Sequence, residues 1–323
     1  MGKKIFFTFK PKGGSFGGGA FFVTNMIEYL KNRGYKITFT LEKGIDIIFI
    51  TDPRKGKKGS SKSYSVDDII QYKKQNPKVK ILHRINECET KREKSIGIDQ
   101  LLLKTMKIVD RIVFITQWLQ DYFVGKYNIS TKNCSVVVNG CNPDFFFPAT
   151  ESAKKIIEES TKVRLITHHW SSNYLKGFEI YNKIDEYLGK HPDEFELTFV
   201  GNYNENYTPK NITVLPPECD MKLGNILREH DIYLTASQNE PCGMHQLEGM
   251  SCGMPILYRE ESGGIKETCG NAGLEFSDFE DFLIKLKEIK KQYYIFKNNI
   301  NYGWLSSQRC CKHFYKNIKL LCK

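Results

Sequence analysis

Residues Ile45–Thr51 read IDIIFIT, too short for an ordinary helix and too uniformly apolar for a strand with one face in water. A strand covered on both faces reads this way, and both faces are covered chiefly in parallel sheets, where helices carry the chain from strand to strand. The neighbouring segments fit that arrangement. Lys4–Lys10 (KIFFTFK), Tyr35–Thr40, Val79–His83 (VKILH), Arg111–Ile115 and Cys134–Val138 read as further strands. Between them, Ala20–Arg33 carries apolar residues at Phe22, Val23, Met26, Ile27 and Leu30, a helical period, with Gly34 as its expected close. Asp67–Gln75, Ile98–Val109 and Gln117–Tyr127 also read as helices. Strand and helix alternate throughout, which predicts a doubly wound α/β domain.

From Pro148 to Thr161 the composition turns polar and charged, and this stretch reads as a linker. A second series follows. Strands are expected at Val163–Thr167, Glu196–Val200, Ile212–Leu215, Asp231–Thr235 and Pro255–Tyr258, and helices at Gly177–Leu188, Met221–Glu229, Gly243–Cys252, Ile265–Cys269 and Phe279–Tyr294. The 323 residues suffice for two cores. The expected division is a first domain over residues 1–150, a second over 151–300, and a C-terminal helix in 301–323 that packs back on the first.

Composition narrows the function classes. With 40% hydrophobic and 26% charged residues the chain is globular. Its net charge of +11 comes from lysines scattered along the sequence, at Lys3–Lys4, Lys55–Lys62, Lys73–Lys80 and Lys285–Lys291, which reads as a solvated surface or an affinity for an anionic partner. These lysines are not interleaved with aromatics on one element, which disfavours a nucleic-acid partner. The ten cysteines include no CxxC and no His/Cys cluster at zinc spacing, so reduced thiols in a cytoplasmic compartment are expected. The apolar run in MGKKIFFTFK is too short for a signal peptide, and no run approaches a membrane helix, so any membrane contact would be peripheral.

Four places carry chemistry. Gly17-Gly18-Gly19 stand between a strand and a helix, where glycines allow close backbone approach and the helix start offers free N–H groups to a phosphate. His83 ends an expected strand, and ligands of open α/β sheets bind beyond such ends; Asn86, Glu87 and Glu89 follow within reach of an acceptor hydroxyl. Lys176-Gly177 open a helix after the loop that begins at His168-His169-Trp170, placing a point charge where a phosphate would sit. Glu240 and Glu248 flank the first turn Cys242, Gly243 and Met244, so that carboxylates can grip hydroxyls while backbone amides grip phosphate.

Glu240-x7-Glu248 followed by SCGMPILYREESGGIKE resembles the E-x7-E region of the retaining glycosyltransferases of family 4. GGGAFFVTNMIEYLKNRGYKITF, VKILHRINE, VVVNGCNPDFFFP, ITHHWSSNYLKGFEIY and TFVGN are similar to other segments of that family, in the same order. The resemblance implies the GT-B architecture, two Rossmann-like doubly wound domains facing a central cleft. It implies a nucleotide-sugar donor and transfer of its sugar to an acceptor hydroxyl with retention of configuration. In that reading Gly18 and Gly19 approach the donor diphosphate or the acceptor, and His83 contacts the donor sugar. Lys176 neutralises the leaving diphosphate, and Glu240 faces the transferred sugar beside the Cys242–Met244 backbone. Glu248 holds the ribose, Leu215 to Pro217 lie beside the base, and Asn86 and Glu87 stand on the acceptor side. One residue departs from the pattern. The family usually has an arginine shortly before Lys-Gly, and here His169 stands near that place, so the second phosphate clamp is either His169 or a group elsewhere. No metal and no cofactor are expected, there being no Asp-x-Asp and the nucleotide sugar being a substrate. The acceptor, whether glycan, lipid-linked or protein, is not legible. The alternatives are a GT-B relative of another reaction class, such as a nucleotide-sugar epimerase or sugar phosphorylase, and a non-catalytic sugar-nucleotide-binding protein.

Overall fold

The structure, a computed structural model, describes residues 2–11, 17–56, 63–149 and 162–322. Most of the expected linker, from residue 150 to 161, lies outside the described residues, as do residues 12–16 of the glycine-rich turn and 57–62 of the loop after Arg54. The chain divides into two compact units. One comprises Met1–Glu89, Lys94–Asn139 and Ser307–Lys323, the other Thr90–Glu93 and Gly140–Ser306.

In the first unit, strands β1 (Lys4–Phe7), β2 (Lys36–Thr38), β3 (Ile47–Ile50), β4 (Lys80–Ile85), β5 (Arg111–Phe114) and β6 (Cys134–Val136) form a sheet in the order β2-β1-β3-β4-β5-β6, every neighbouring pair parallel. All four residues of β3 are buried, which is the both-faces coverage that IDIIFIT implies. The intervening helices are α1 (Gly18–Lys31), α2 (Val66–Gln75), α3 (Ile98–Met106) and α4 (Gln117–Tyr127). Local chemistry sets two of their starts. Ser65 and Asp68 close a capping box on α2, and the Thr116 hydroxyl accepts from Leu119 N on α4. The last helix of the chain, α12 (Ser307–Leu321), belongs to this unit. Phe314 packs on Phe22 and Phe49, with ring centroids 4.7 and 5.9 Å away, while Cys310, Cys311 and Ile318 join the same apolar cluster. Arg309 donates to the carbonyls of Val138 and Asn139 at 2.8 and 2.9 Å.

The second unit has strands β7 (Val163–His169), β8 (Phe195–Gly201), β9 (Thr213–Leu215), β10 (Ile232–Thr235), β11 (Ile256–Arg259) and β12 (Gly273–Phe276) in the order β12-β11-β10-β7-β8-β9, again all parallel. Its helices include α5 (Phe178–Leu188), α6 (Asp220–Arg228), α7 (Met244–Ser251), α8 (Gly264–Cys269), α9 (Phe279–Lys291), α10 (Tyr293–Asn298) and α11 (Tyr302–Leu305). The helix expected over Phe279–Tyr294 breaks at Gln292, whose φ of −110° and ψ of 22° lie outside the helical basin. Each unit is thus a Rossmann-like layer of parallel strands between helices, the architecture of the GT-B fold.

The charge is not evenly shared. The first unit holds 29 of the 48 Lys and Arg and 11 of the 37 Asp and Glu, and the second holds the remaining 19 and 26. An excess that reads as scattered along the sequence therefore resolves into +18 on one unit and −7 on the other. No helix among the described residues is long and apolar enough to cross a membrane.

Candidate functional site

In the second sheet β7 and β10 are neighbours, but the chain leaves β7 toward β8 on one side and β10 toward β11 on the other. The strand order reverses between them, and a crevice opens beyond the carboxyl ends of strands at such a switch point. Lys176, Glu240, Glu248 and the two histidines of β7 all gather there.

β7 runs two residues beyond its expected end and carries His168 and His169 inside it, both buried. Alternation along the strand sends the two rings to opposite sides. His168 Nε2 lies 2.8 Å from Glu248 Oε2, and its Nδ1 lies 3.1 Å from the Tyr233 hydroxyl. An ionised Glu248 accepts the Nε2 proton, which leaves Nδ1 to accept from Tyr233, so the tyrosine fixes the tautomer and the histidine fixes the carboxylate. His169 instead faces the core. Its Nε2 is 2.9 Å from the Tyr181 hydroxyl and 3.2 Å from Thr167 Oγ1. Burial, reinforced by the charges of His245, Lys176 and His168, drives its pKa well below the ordinary value. His169 is therefore a neutral core side chain at neutral pH. This corrects the expectation that it could serve as the second phosphate clamp.

Lys176 closes a short 3-10 turn, Tyr174–Lys176, whose start is capped by Asn173 Oδ1 accepting from Leu175 N at 2.9 Å. The next residue, Gly177, has φ +101°, and a β-carbon there would stand 2.4 Å from Ala236 Cβ and 2.7 Å from the Ala236 carbonyl carbon. The turn is thereby pressed against the end of β10. Lys176 Nζ forms an ion pair with Glu240 Oε2. Burial works to raise the Glu240 carboxyl, but the Lys176 and Lys91 ammonium groups outweigh it and hold the pKa at about 2. Glu240 is also pinned through its backbone, its N–H donating to Ser262 O at 3.2 Å and its carbonyl accepting from Gly264 N at 2.8 Å. Gly263 makes that approach possible, since its φ is +72° and a β-carbon would come within 2.7 Å of Glu240 O.

Three residues after Glu240, α7 begins with Gly243 as its N-cap, a residue with no side chain to occupy the first-turn amides. Cys242 is buried beside it. Glu248 lies on α7 one turn on. His245, also on α7 and buried, turns Nε2 to Thr235 Oγ1 at 3.0 Å, and burial, aided by Lys176, pushes its pKa well down. Leu215 and Pro217 line a cavity of about 450 Å³ together with Gly201, Asn202, Tyr203, Val214 and Pro216. No group of three His, Cys, Asp or Glu side chains among the described residues is placed to hold a metal ion.

Around the first unit's own switch point lie Gly18 and Gly19, after β1, and Asn86 and Glu87, after β4. Gly18 and Gly19 open α1, with Gly17 as an N-cap that has no side chain. His83 is not at a strand end. β4 continues through Arg84 and Ile85, paired with Val113 and Phe114, and His83 is 0% exposed with no hydrogen-bond partner among the described residues on either ring nitrogen. The strand extends because Arg84 is accommodated inside it. Its Nη2 donates to Asn139 Oδ1 at 2.9 Å and its guanidinium lies 4.3 Å from the Phe22 ring centre. Asn86, in the orientation that satisfies both ends of its amide, donates to Thr51 O at 3.3 Å and accepts from Arg84 Nη1 at 3.2 Å. Glu87 lies 3.7 Å from Arg54, which also grips Asp52 through two nitrogens at 2.9 and 2.7 Å. Neither Asn86 nor Glu87 thus points into empty solvent.

The buried histidines make stability sensitive to mild acid. Burial pushes His83 down to about 3, against the opposing pull of Asp52, and His169 and His245 shift in the same direction. Below about pH 6.5 the unfolded chain binds protons that the native chain refuses, so stability falls as pH falls. His83 alone is expected to remove about 2 kcal/mol between neutral pH and pH 5. Glu240 adds to this only below its unfolded value of 4.5, as pH approaches 2. Urea midpoints should drop from pH 7.5 to 5, and less so in His83→Leu; a flat wild-type profile would contradict the buried, neutral assignment.

Comparison with known proteins turns on the stretch around the two glutamates. Residues 184–302 match the family model described as Glycosyl transferases group 1. The matched segment contains Glu240, Glu248, the α7 start and the cavity at Leu215, and it begins after Lys176. Among curated proteins, the GPI3 subunit of phosphatidylinositol N-acetylglucosaminyltransferase from Saccharomyces cerevisiae is 23% identical over 189 residues, 55% of this chain and 41% of that protein. Mannosylfructose-phosphate synthase of Agrobacterium fabrum is 22% identical over 174 residues, 48% of this chain and 38% of that protein. The matches thus span about two fifths of the length of these curated relatives. Sucrose-phosphate synthase from Thermosynechococcus elongatus superposes with a TM-score of 0.73 at 12% identity, covering 99% of both chains. Anabaena HepE in complex with UDP-glucose gives 0.72 at 12% identity, covering 98% of this chain and 99% of that one. Residues 184–302 are thus similar to group 1 glycosyltransferases, and the structural likeness shows the GT-B fold over nearly the whole chain.

Proposed function

We propose that this chain is a glycosyltransferase that takes a sugar from a nucleoside-diphosphate donor and passes it to an acceptor hydroxyl with retention of configuration. The observation that carries the reading is the joint placement of Lys176, Glu240 and His168-braced Glu248 around the first turn of α7, all at the β7–β10 switch point. As the bond to the sugar breaks, negative charge grows on the departing diphosphate. Lys176 and the first-turn amides of α7 are preorganised to receive that charge. Glu240, kept ionised by the lysines, accepts from hydroxyls of the transferred sugar, and Glu248 accepts from the ribose. The cavity lined by Leu215 and Pro217 offers room for the base. This arrangement supplies its positive charge from side chains and amides, and we propose that it works without a metal ion or cofactor.

His168 then acts as a positioning residue for Glu248. His168→Leu is expected to raise the donor KM about tenfold while kcat moves less than about threefold, because ribose contacts bind ground and transition states alike. Steady-state kinetics over donor concentration checks this, and an equal fall in kcat and kcat/KM would reject it.

The acceptor belongs with the first unit, whose +18 charge favours an anionic acceptor or a peripheral anionic membrane surface over a neutral glycan. All ten cysteines are free thiols, in keeping with a reducing, cytoplasmic setting. The test is a panel of UDP-, GDP- and ADP-sugars followed by thermal shift and by product analysis. The expected result is stabilisation by one donor class and a new glycoside with the donor's anomeric configuration. An isomerised nucleotide sugar would indicate epimerisation, and binding without turnover against a broad acceptor panel would indicate a non-catalytic binder.

A further inference from the structure

Clamping a diphosphate with Lys176 alone leaves one of its two negative phosphates without a facing cation, and His169, which stands where a second would be expected, is turned into the core and bonded to Tyr181 and Thr167. A second cation is nevertheless on the same unit. Residues Thr90–Glu93 belong to it, and two hydrogen bonds tie them to the turn that carries Lys176. Asn173 Nδ2 donates to the Lys91 carbonyl at 3.0 Å, and Tyr174 N donates to Glu93 Oε1 at 2.5 Å. Asn173 is the residue whose other amide atom caps the Tyr174–Lys176 turn. One side chain therefore holds Lys91 and Lys176 in register with each other.

We infer that Lys91 supplies the second cation for the donor's diphosphate, in place of a clamp on β7. This rests on the donor class proposed above. The electrostatics agree with the geometry. Lys91 is, after Lys176, the next contributor holding the Glu240 carboxyl down, and it also acts on His245 at the start of α7. Its ammonium thus projects its charge onto both the carboxylate that pairs with Lys176 and the helix start that would face the phosphates. The tether to Asn173 runs through the Lys91 backbone, so changing the side chain leaves the turn's hydrogen bonds in place.

The test measures binding to the full chain of two ligands sharing the base that wild type prefers among UDP, GDP and ADP: the nucleoside diphosphate and the nucleoside itself. In Lys91→Met the diphosphate is expected to bind at least about tenfold more weakly, as loss of one charge-assisted contact entails, with the nucleoside within about twofold of wild type. Lys91→Arg should restore diphosphate binding to within about threefold. If Lys91→Met weakens both ligands equally, Lys91 has only a structural part and the inference fails. If it weakens neither, the inference also fails. If wild type binds none of the three diphosphates, the donor class itself is wrong, an outcome distinct from a wild type that binds tightly and a Lys91→Met that binds as well.

Discussion

Lys176→Ala is expected to lower turnover roughly 10²-fold or more, the effect of removing one preorganised stabiliser of developing charge. The substitution has a second consequence, because Lys176 is the ion-pair partner of the buried Glu240. Removing one member of a buried pair strands the other as a charge without its main compensation, which destabilises the native state. The two effects can be separated. In Lys176→Ala with Glu240→Gln the stranded charge is gone, so the melting temperature should recover most of the loss seen in the single variant. Turnover should not recover, since the glutamine leaves the diphosphate as poorly neutralised as before. Single-turnover rates at saturating donor, measured beside thermal denaturation of each variant, make the comparison. A single variant within about threefold of wild type would remove Lys176 from the chemistry, and a double variant that regains turnover would assign the defect to misfolding.

The next largest effect is expected one residue further on. Gly177→Ala should destabilise the protein by about 3 kcal/mol or more, because two penalties combine at one atom. The φ of +101° is strained for any residue with a β-carbon, and that carbon would be 2.4 to 2.8 Å from the side chain and backbone of Ala236. Ala236 follows β10 directly and cannot retreat without disturbing its bond to the Tyr181 hydroxyl. Relief by moving the Tyr174–Lys176 turn outward would draw Lys176 from Glu240, so turnover should fall with stability. Gly19→Ala offers the contrast. Among the described residues nothing lies within 4 Å of a β-carbon there, and the residue is in a helix, so stability should hold or rise. Urea denaturation of both variants decides the matter: equal midpoints would mean that the close approach of Gly177 to Ala236 is not maintained in solution.

Much of the architecture is legible in the residue pattern because parallel strands buried on both faces, such as β3, advertise themselves as apolar runs. The pattern fails where a polar side chain is buried. In the sequence pattern β4 stops at His83 because Arg84 reads as an exposed charge, and nothing local reveals that Phe22 and Asn139 wait to receive it. The pattern ends β7 at Thr167 for the same reason, with two histidines inside the strand. β12 (GLEF) has too few apolar residues to register, and its place depends on β11 beside it. At the site, Glu240, Glu248 and Lys176 stand out because of their spacing from glycine turns. The partnership of His168 with Glu248 joins residues 80 positions apart, and that of Asn173 with Lys91 joins residues 82 apart, so sheet topology alone brings them together. His169 illustrates the opposite error. Its position along the chain suggested a phosphate ligand, but adjacent residues in a strand face opposite ways, and only one of the pair can look toward the α7 glutamate.

The last helix has a bearing on how the molecule is made. The first unit's apolar cluster is finished by Cys310, Cys311, Phe314 and Ile318, although every strand of its sheet lies before residue 137. The second unit is complete at Ser306. During synthesis the amino-terminal sheet therefore emerges with the faces of Phe22 and Phe49 uncovered and waits through the whole of the second unit for Phe314 to arrive. The unit that begins first closes last, which reverses the usual order in which domains mature on the ribosome and lengthens the interval in which a chaperone has exposed aromatic surface to hold.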